Sequence, residues 1–371
     1  MRFIMFLTAF LFALIASLLT AILIVATQRF HGQFTLDSHA GVQKLHTAPT
    51  PRVGGLALFF GALIGGIGLT GDAQWLWWMI CISALPAFLF GLVEDITKRV
   101  GVRARLLATI FSGLIFCILT SYQITTVDIP GIDRLLSFWL FSLLFTAFAI
   151  GGTANAINLI DGVNGLAAGT SIIILTGFAL IAVQLGDKAI LGACLVGIGS
   201  LAGFFLLNFP RGRLFLGDAG AYATGVLLAA IAIALPQRNA EISPLIGLLA
   251  LAYPVMETMV SILRRVLRQG SQPGDPDRLH LHSLVYRSRA KWMANALSVP
   301  HMRNAMAGLL MMGLPLISVI LMLLVSRSSL LIWASILFVC IVYLVVYRKV
   351  ALLRPLIRLV RKEGLRTTEK P

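Results

Sequence analysis

The sequence predicts an all-α, polytopic integral membrane protein with about eleven transmembrane helices. Of its 371 residues, 58% are hydrophobic and only 12% are charged, whereas soluble domains carry roughly 25% charged residues. Apolar runs close to 20 residues long recur from end to end, and a helix of that length crosses the roughly 30 Å hydrocarbon core of a bilayer. Because a single segment in lipid satisfies its own backbone hydrogen bonds only as a helix, we expect helices throughout.

The predicted spans follow one another with short connections. They cover 3–26, 54–70, 75–93, 106–122, 136–154, 166–185, 189–207, 219–236, 244–263, 305–325 and 330–347. The first run is too long for the core of a secretory signal peptide, and no convincing cleavage region follows it. We therefore interpret it as the first span, within a single transmembrane domain over 1–347.

The distribution of Lys and Arg predicts the orientation. Of the 30 Lys and Arg, 25 lie in the segments 27–53, 94–105, 155–165, 208–218, 264–304 and 348–371. Loops rich in these residues stay in the cytoplasm, so the N-terminus is predicted outside and the C-terminus inside, with a basic cytoplasmic tail over 348–371. This asymmetry and attraction to anionic lipid explain most of the net charge of +15, and we expect no binding of nucleic acid.

The first cytoplasmic loop carries cations beside two prolines. In "KLHTAPTPRVGG" (44–55), Lys44, His46 and Arg52 are candidates to face an anionic ligand. A rigid proline turn that carries ordinary cytoplasmic charge explains them equally well.

An acidic pair ends the third predicted span. Glu94 and Asp95 stand at the membrane boundary, where carboxylates are costly unless they are paired or bind a metal. An ion pair between Glu94 and Lys98, four residues later, is the simpler alternative. This ion pair would explain the presence of Glu94 at the boundary better than that of Asp95.

Polar residues recur at intervals of three in "NAINLIDGVNGLAAG" (155–169). Asn155, Asn158, Asp161 and Asn164 would drift around a continuous helix, because three residues fall short of a turn. We expect Gly162 or Gly165 to break the helix so that the four side chains converge on one pocket. An ordinary helix C-cap needs only one such residue.

Two further cytoplasmic loops carry candidate ligands. Asp218 in "FLGDAGAYATG" stands at a helix start, where it suits either an N-cap or a Mg²⁺ ligand. In "GDPDRLHLHSLVYR" (274–287), His280 and His282 are two apart, which favours an extended segment with both imidazoles on one side. With Arg287 nearby, and without a further zinc ligand in the pattern, anion binding is the better interpretation.

Together these motifs place carboxylates, amides, imidazoles and cations on one membrane face. That combination suits a Mg²⁺-dependent phosphate reaction at the cytoplasmic surface, because phosphoryl transfer depends on positioning and on cations. The transmembrane domain is then a catalytic domain, and Mn²⁺ is the alternative ion.

The order of these motifs resembles the polyprenyl-phosphate N-acetylhexosamine-1-phosphate transferases. Members of this family move a sugar 1-phosphate from a UDP-sugar to undecaprenyl phosphate. The matches extend from "KLHTAPTPRVGG" to "DRLHLHSLVYR". The resemblance implies ten or eleven helices, a Mg²⁺ requirement, a bacterial inner-membrane location with a cytoplasmic active site, and in many members a homodimer.

The resemblance also implies roles for individual residues. Asp218 takes the metal-ligand position, Asp95 with Glu94 lies near the lipid phosphate, and Asp161 is the other catalytic carboxylate. Lys98 lies near the nucleotide. Positions that hold the UDP-N-acetylhexosamine in relatives correspond to Asn155, Asn158, Asn164, Asn208 and Phe215. The histidine loop that closes the site corresponds to His280 and His282.

The sequence departs from the family pattern at four positions. Relatives commonly have Asp at Glu94, some have Asp at Asn164, and others have His at Ser283 or Asp at Glu257. The "DRLHLHSLVYR" form is most similar to members that initiate O-antigen or surface polysaccharide, and a peptidoglycan-precursor phosphotransferase is the second interpretation.

Three interpretations outside this family remain as alternatives. A transporter or flippase of lipid-linked sugars predicts matching helix interruptions in two halves of the chain, which the pattern lacks. A CDP-alcohol phosphotransferase requires an Arg and further Asp after "DG" that are absent here. A non-enzymatic scaffold is disfavoured because no carboxylate position of the pattern is lost outright.

Overall fold

A computed structural model describes residues 2–37, 49–267 and 279–367, with side chains described within residues 4–351 of these ranges. The described chain is almost entirely helical, which confirms the predicted all-α membrane fold. One small antiparallel sheet pairs Leu36 with Pro51 and Asp37 with Thr50. The elements are α1 (Arg2–Thr35), β1 (Leu36–Asp37), β2 (Thr50–Pro51), α2 (Gly55–Ile67), α3 (Gly71–Thr97), α4 (Val102–Thr120), α5 (Pro130–Leu136), α6 (Trp139–Ile160), α7 (Leu166–Leu185), α8 (Lys188–Asn208), α9 (Gly217–Arg238), α10 (Ile246–Ala250), α11 (Ala252–Leu267), α12 (Leu281–Arg287), α13 (Arg289–Ala296), the 3₁₀ turn Pro300–Met302, α14 (Arg303–Met311), α15 (Gly313–Val325) and α16 (Ser329–Thr367).

Nine helical segments in the described residues are long and apolar enough to cross a membrane, and each overlaps a predicted span. The predicted spans at 54–70 and 244–263 differ. Helix α2 has only 13 residues, about 20 Å of helix, which is shorter than the hydrocarbon core. The predicted span at 244–263 is divided into two helices, α10 and α11, at Leu251. Pro254 follows closely, and its missing N–H favours the start of a new helix there.

Helix α9 lies at the centre of the bundle. It is the most buried of the nine spans, and it packs against α2, α3 and α6. Its first turns, "GDAGAYATG", consist mostly of small residues. Gly91 of α3 packs so closely here that a Cβ at this position would lie 2.5 Å from the backbone nitrogen of Ala219. This close approach brings Asp95, one turn later in α3, to the first turn of α9.

The opposite end of α9 is held by a partly buried ionic network. Arg238 donates to Asp187 at 2.8 Å, to the hydroxyl of Tyr122 at 3.1 Å and to Asp72 at 2.6 Å. These partners join the start of α3, the N-terminus of α8 and the segment after α4. The network therefore fixes the ends of several spans on the face of the bundle opposite Asp218.

Replacement of Arg238 with Met is expected to lower the free energy of unfolding by about 3 kcal/mol at pH 7, because it leaves the carboxylate of Asp187 buried without its cation. Burial alone would raise the pKa of Asp187, but hydrogen bonds from Arg238 and Asn239 lower it below its ordinary value. This contribution to stability is therefore fully present above about pH 4, the unfolded pKa of an Asp. It is lost as the pH falls through the lower pKa of the folded state.

Unfolding of both proteins in detergent at pH 7 and at pH 3 measures this difference. Arg327→Ala is the matched control, since the ion pair of Arg327 with Glu241 at 2.8 Å is mostly exposed, and such pairs contribute at most about 1 kcal/mol. Equal losses for the two variants would contradict the assigned role of Arg238.

Candidate active site

Three aspartates from separate segments meet around Arg52. They are Asp95 at the end of α3, Asp161 after α6 and Asp218 in the first turn of α9, and we call them the acidic cluster. The Arg52 guanidinium lies 2.5 Å from Asp218 Oδ1 and 3.3 Å from Asp95 Oδ1. Asp161 interacts electrostatically with Arg52 and accepts a hydrogen bond from the backbone N–H of Gly217. The fold thus gathers three predicted catalytic or metal-binding residues at one end of the bundle.

Backbone pairing of two loops creates this arrangement. The N–H of Gly54 donates to the carbonyl of Phe215, that of Gly55 to Leu216, and that of Phe215 to Pro51, each at 2.9 Å. Gly217 then turns the chain into α9 with a φ of +75°. A Cβ at Gly217 would lie 2.3 Å from the Arg52 carbonyl oxygen and 2.5 Å from Asp95 Oδ2. Only glycine therefore permits this turn beside the acidic cluster.

Asp95 anchors the N-terminus of α9. Its carboxylate is fully buried and accepts from the backbone N–H of Asp218 at 2.8 Å and from that of Ala219 at 3.0 Å. These donors have no partner within the helix, and a negative charge is favourable at that end. Both oxygens of Asp95 are thus engaged in holding α9, and its predicted contact with the lipid phosphate stays a prediction.

Asp218 is surrounded by three donors. Its carboxylate accepts from Arg52, Arg105 and Asn158, the last at 3.1 Å. Arg105, in the first turn of α4, also lies 4.0 Å from Glu94. Sequence reasoning counted Arg105 only as a cytoplasmic charge, because its distance from Asp218 along the chain concealed this contact. The site therefore contains a second guanidinium.

Glu94 and Lys98 have separate partners. Glu94 accepts from the backbone N–H of Val100 at 2.8 Å, while the amine of Lys98 donates to the carbonyl of Leu36 at 3.3 Å. Lys98 itself adopts a φ of +55° as it ends α3. The alternative of an ion pair between Glu94 and Lys98 is therefore wrong in this structure. The predicted place of Lys98 near a nucleotide is untested.

The predicted helix break in the 155–165 segment is confirmed. Helix α6 ends at Ile160, and α7 starts at Leu166 after Gly165 with a φ of +80°. The expected convergence of the four polar side chains is wrong, however. Asn158 donates to Asp218 of the acidic cluster, to which Asp161 belongs, but Asn155 donates to Thr109 of α4 at 3.0 Å.

Asn164 and Asn208 connect loops. The amide of Asn164 donates to the carbonyl of Pro210 at 3.0 Å. Asn208 accepts from the N–H of Gly165 at 2.6 Å and donates to the carbonyl of Leu214 at 2.8 Å. The backbone reverses after Ile160, so Asn164 points to the 208–214 loop rather than to Asp218. Substrate contacts of Asn155, Asn164, Asn208 and Phe215 remain predictions.

The histidine loop lies against the Asp161 loop. His282 packs on Gly162, where a Cβ would lie 2.2 Å from His282 Nε2. The rings of His280 and His282 stack with centroids 5.5 Å apart, so both imidazoles are on one side as predicted. The expectation of an extended segment is wrong beyond His280, since Leu281–Arg287 is helical. The predicted ligands Lys44 and His46 lie outside the described residues.

Asp161 and His282, in the loops at the site, both have perturbed pKa values. Burial raises the pKa of Asp161 well above its ordinary value, and Asp218 and Asp95 add to this, while Arg52 and the Gly217 N–H oppose it. Burial lowers the pKa of His282 to about 4, and the charges of His280 and Arg287 add to this effect, with Glu257 opposing it. His282 is therefore a neutral imidazole at pH 7, while Asp161 lies where additional positive charge would be stabilising.

A cavity of about 290 Å³ lies between α2, α3, α8 and α9, away from these polar groups. Its lining is almost wholly apolar, with Phe59, Trp78 and Phe88 among its larger side chains. Between it and the acidic cluster lies the close packing of Gly55 and Gly91 on the first turn of α9. We therefore place the candidate active site at the acidic cluster and not in this cavity.

The fold and the site define a polytopic helical membrane protein with an acidic, arginine-lined site at one end of its bundle. Residues 77–236, which include the whole acidic cluster, match the model of glycosyl transferase family 4. The chain is 29% identical over 291 residues to the probable undecaprenyl-phosphate N-acetylglucosaminyl 1-phosphate transferase of Bacillus subtilis, covering 77% of this chain and 79% of that protein.

Two further relatives are also similar in sequence to this chain. The undecaprenyl-phosphate alpha-N-acetylglucosaminyl 1-phosphate transferase of Yersinia pestis is 27% identical over 251 residues, 66% of this chain and 68% of that protein. The phospho-N-acetylmuramoyl-pentapeptide-transferase of a Synechococcus species is 35% identical over 204 residues, 52% of this chain and 58% of that protein. The chain is therefore similar to the polyprenyl-phosphate hexosamine-1-phosphate transferases, the family that its motifs resemble.

Proposed function

We propose that this protein transfers N-acetylhexosamine 1-phosphate from a UDP-sugar to undecaprenyl phosphate and releases UMP. This reaction would initiate a surface polysaccharide or an O-antigen. The observation that supports it best is the acidic cluster around Arg52, with Asp218 held in the first turn of α9. The relatives from Bacillus subtilis and Yersinia pestis, whose names specify this transfer with N-acetylglucosamine, add support.

The residues at this site fit a Mg²⁺ requirement. No group of three or more His, Cys, Asp or Glu arranged for a metal occurs in the described parts of the chain. Mg²⁺, however, typically uses one or two carboxylates and completes its shell with water and substrate phosphates. The three aspartates of the cluster face two guanidiniums. Burial and the acidic neighbours raise the pKa of Asp161. Asp218 and Asp161 would hold the ion, with Mn²⁺ as the alternative.

The bound ion would neutralise charge on the diphosphate and on the departing nucleotide. Arg52 and Arg105 present guanidiniums that suit phosphate oxygens, and Asn158 holds the orientation of Asp218. The lipid phosphate oxygen attacks the sugar-side phosphorus, the bond to the UMP oxygen breaks, and its electron pair leaves with UMP. One phosphoanhydride replaces another, so the reaction is expected to be reversible.

The decisive experiment incubates purified protein with undecaprenyl phosphate, Mg²⁺ and each of several UDP-N-acetylhexosamines. We expect UMP release with one sugar, exchange of labelled UMP into UDP-sugar, and a lipid product that retains both phosphates. Release of UDP alone would contradict the proposal and favour an ordinary lipid glycosyltransferase. Transport without turnover would favour the flippase interpretation.

A second candidate is the peptidoglycan-precursor reaction, which the 35% identity to the Synechococcus relative favours. Including UDP-N-acetylmuramoyl-pentapeptide among the donors distinguishes it, since the two reactions share the acceptor and release the same nucleotide. Turnover with this donor alone would replace the surface-polysaccharide interpretation.

We also propose that the active site faces the cytoplasm at the bacterial inner membrane, in a single catalytic domain that contacts anionic lipid and forms a homodimer. The support for the orientation is the Lys and Arg asymmetry together with the position of the acidic cluster, which adjoins the loops 27–53 and 94–105.

Cysteine labelling in intact cells tests the orientation. A membrane-impermeant maleimide is expected to label Glu241→Cys and to spare Arg99→Cys until the cells are permeabilised. Both side chains are exposed, and they lie toward opposite ends of the bundle. The reverse pattern would contradict the orientation and the cytoplasmic site.

A further inference from the structure

The carboxylate of Glu257 connects three separate parts of the molecule. Glu257 lies in α11 and is only 1% exposed. Its Oε1 accepts from the backbone N–H of Leu281 at 3.0 Å and lies 3.2 Å from His280 Nδ1. Its Oε2 accepts from the hydroxyl of Tyr343 in α16 at 2.9 Å. One buried side chain thus joins α11, α16 and the start of the histidine loop.

The histidine loop in turn reaches the acidic cluster. The imidazole of His282 stacks on that of His280 and packs on Gly162, the residue after Asp161. His282 is only 4% exposed, and its Nδ1 has no hydrogen-bond partner among the described residues. The nitrogen that faces the Asp161–Gly162 loop is Nε2, so the ring position depends on packing and on His280 rather than on a hydrogen bond of Nδ1.

We propose that Glu257 is a positioning residue that fixes the His280–His282 pair over the Asp161–Gly162 loop, so that the His282 ring, with its Nε2 toward Gly162, stays at the place where the nucleotide-sugar would bind. The inference rests on the proposed function for the identity of the ligand. Tyr343 also stabilises this arrangement, because its hydroxyl donates to the second oxygen of the same carboxylate.

A carboxylate suits this position because all three partners are donors. An ionised Glu accepts at both oxygens, whereas a Gln presents an NH₂ group on one side. The backbone N–H of Leu281 cannot change its role, but the hydroxyl of Tyr343 can accept. Gln at 257 can therefore keep its oxygen toward the histidine loop and its NH₂ toward Tyr343, while Ala loses every contact.

A double-mutant cycle with Glu257→Ala and His282→Ala tests the coupling. We expect each single variant to lose about 10- to 100-fold in kcat/KM for the UDP-sugar. The double variant should be within about threefold of His282→Ala alone, because Glu257 acts through His282. Glu257→Gln should recover much of the loss. If the loss of kcat/KM in the double variant equalled the product of the two single losses, the proposal would be overturned.

Hydrogen exchange provides a readout that does not depend on turnover. In Glu257→Ala the amides of Leu281–Arg287 are expected to exchange faster, whereas Ser261→Ala, one turn further along α11 and equally buried, should leave them unchanged. Unaltered exchange in Glu257→Ala would overturn the positioning role. If wild-type protein released no UMP, the proposed function would fail while this exchange result still decided whether Glu257 holds the loop.

Discussion

Replacing Asp218 with Asn is expected to reduce kcat by at least about 100-fold while the protein stays folded, a loss comparable to removing one electrostatic group at a reacting centre. Asp218 interacts with Arg52, Arg105 and Asn158 at the start of α9. An amide keeps one oxygen acceptor for these donors but removes the negative charge that would bind Mg²⁺. Turnover is expected to depend on that charge, whereas the position of α9 depends on the hydrogen bonds of Asp95.

UMP release across a range of Mg²⁺ concentrations, with thermal unfolding beside it, measures this effect. Asp72→Asn is the matched control, because Asp72 is a mostly exposed carboxylate whose partner Arg238 lies at the other end of α9. It should keep near-normal activity. Near-normal activity of Asp218→Asn at low Mg²⁺ would exclude Asp218 from the metal site.

Asp95→Asn is expected to lose both activity and stability. The buried carboxylate of Asp95 accepts from two backbone N–H groups and also faces Arg52. In the Asn variant, an NH₂ group must face one of these donors, and the cation loses a buried partner. Breaking a buried charge pair typically costs about 3–5 kcal/mol. The start of α9 would then shift, and Asp218 with it.

Glu94→Asp is the control for Asp95→Asn. Glu94 precedes Asp95 directly, but it contacts the backbone of Val100 and lies near Arg105 at the edge of the site. The shorter Asp keeps the charge at the edge of the site, so activity within a few-fold of wild type is expected. A stable Asp95→Asn protein with most of its rate would contradict both the anchoring role and the catalytic role.

The two variants therefore separate two functions within one cluster. Loss of turnover without loss of stability marks a residue that meets the substrate or the ion, as expected for Asp218. Loss of both marks a residue that builds the site, as expected for Asp95. The resemblance to the family assigned both carboxylates to the chemistry, and the hydrogen bonds of Asp95 add a structural role to that prediction.

Much of the fold could be predicted from the sequence because membrane spans depend on local composition. Hydropathy over about 20 residues predicted the nine described spans, and the glycines after Asp161 predicted the break between α6 and α7. The predictions differed from the structure where packing competes with composition. Helix α2 is short beside α1 and α8, and the ninth predicted span divides near Pro254.

The sequence by itself determined that this is a helical membrane protein with carboxylates, amides and imidazoles in the loops of one face, since residue type and order are local properties. Only the tertiary structure decided which of these groups meet. Close packing of Gly91 on α9 delivers Asp95 to the N–H groups of Asp218 and Ala219, and the 51–55 and 215–217 segments bring Arg52 between the carboxylates. Arg105 and Glu257 find their partners across more than 100 and more than 20 residues of chain respectively. Such contacts depend on how helices pack, and no pattern along a single segment contains that information.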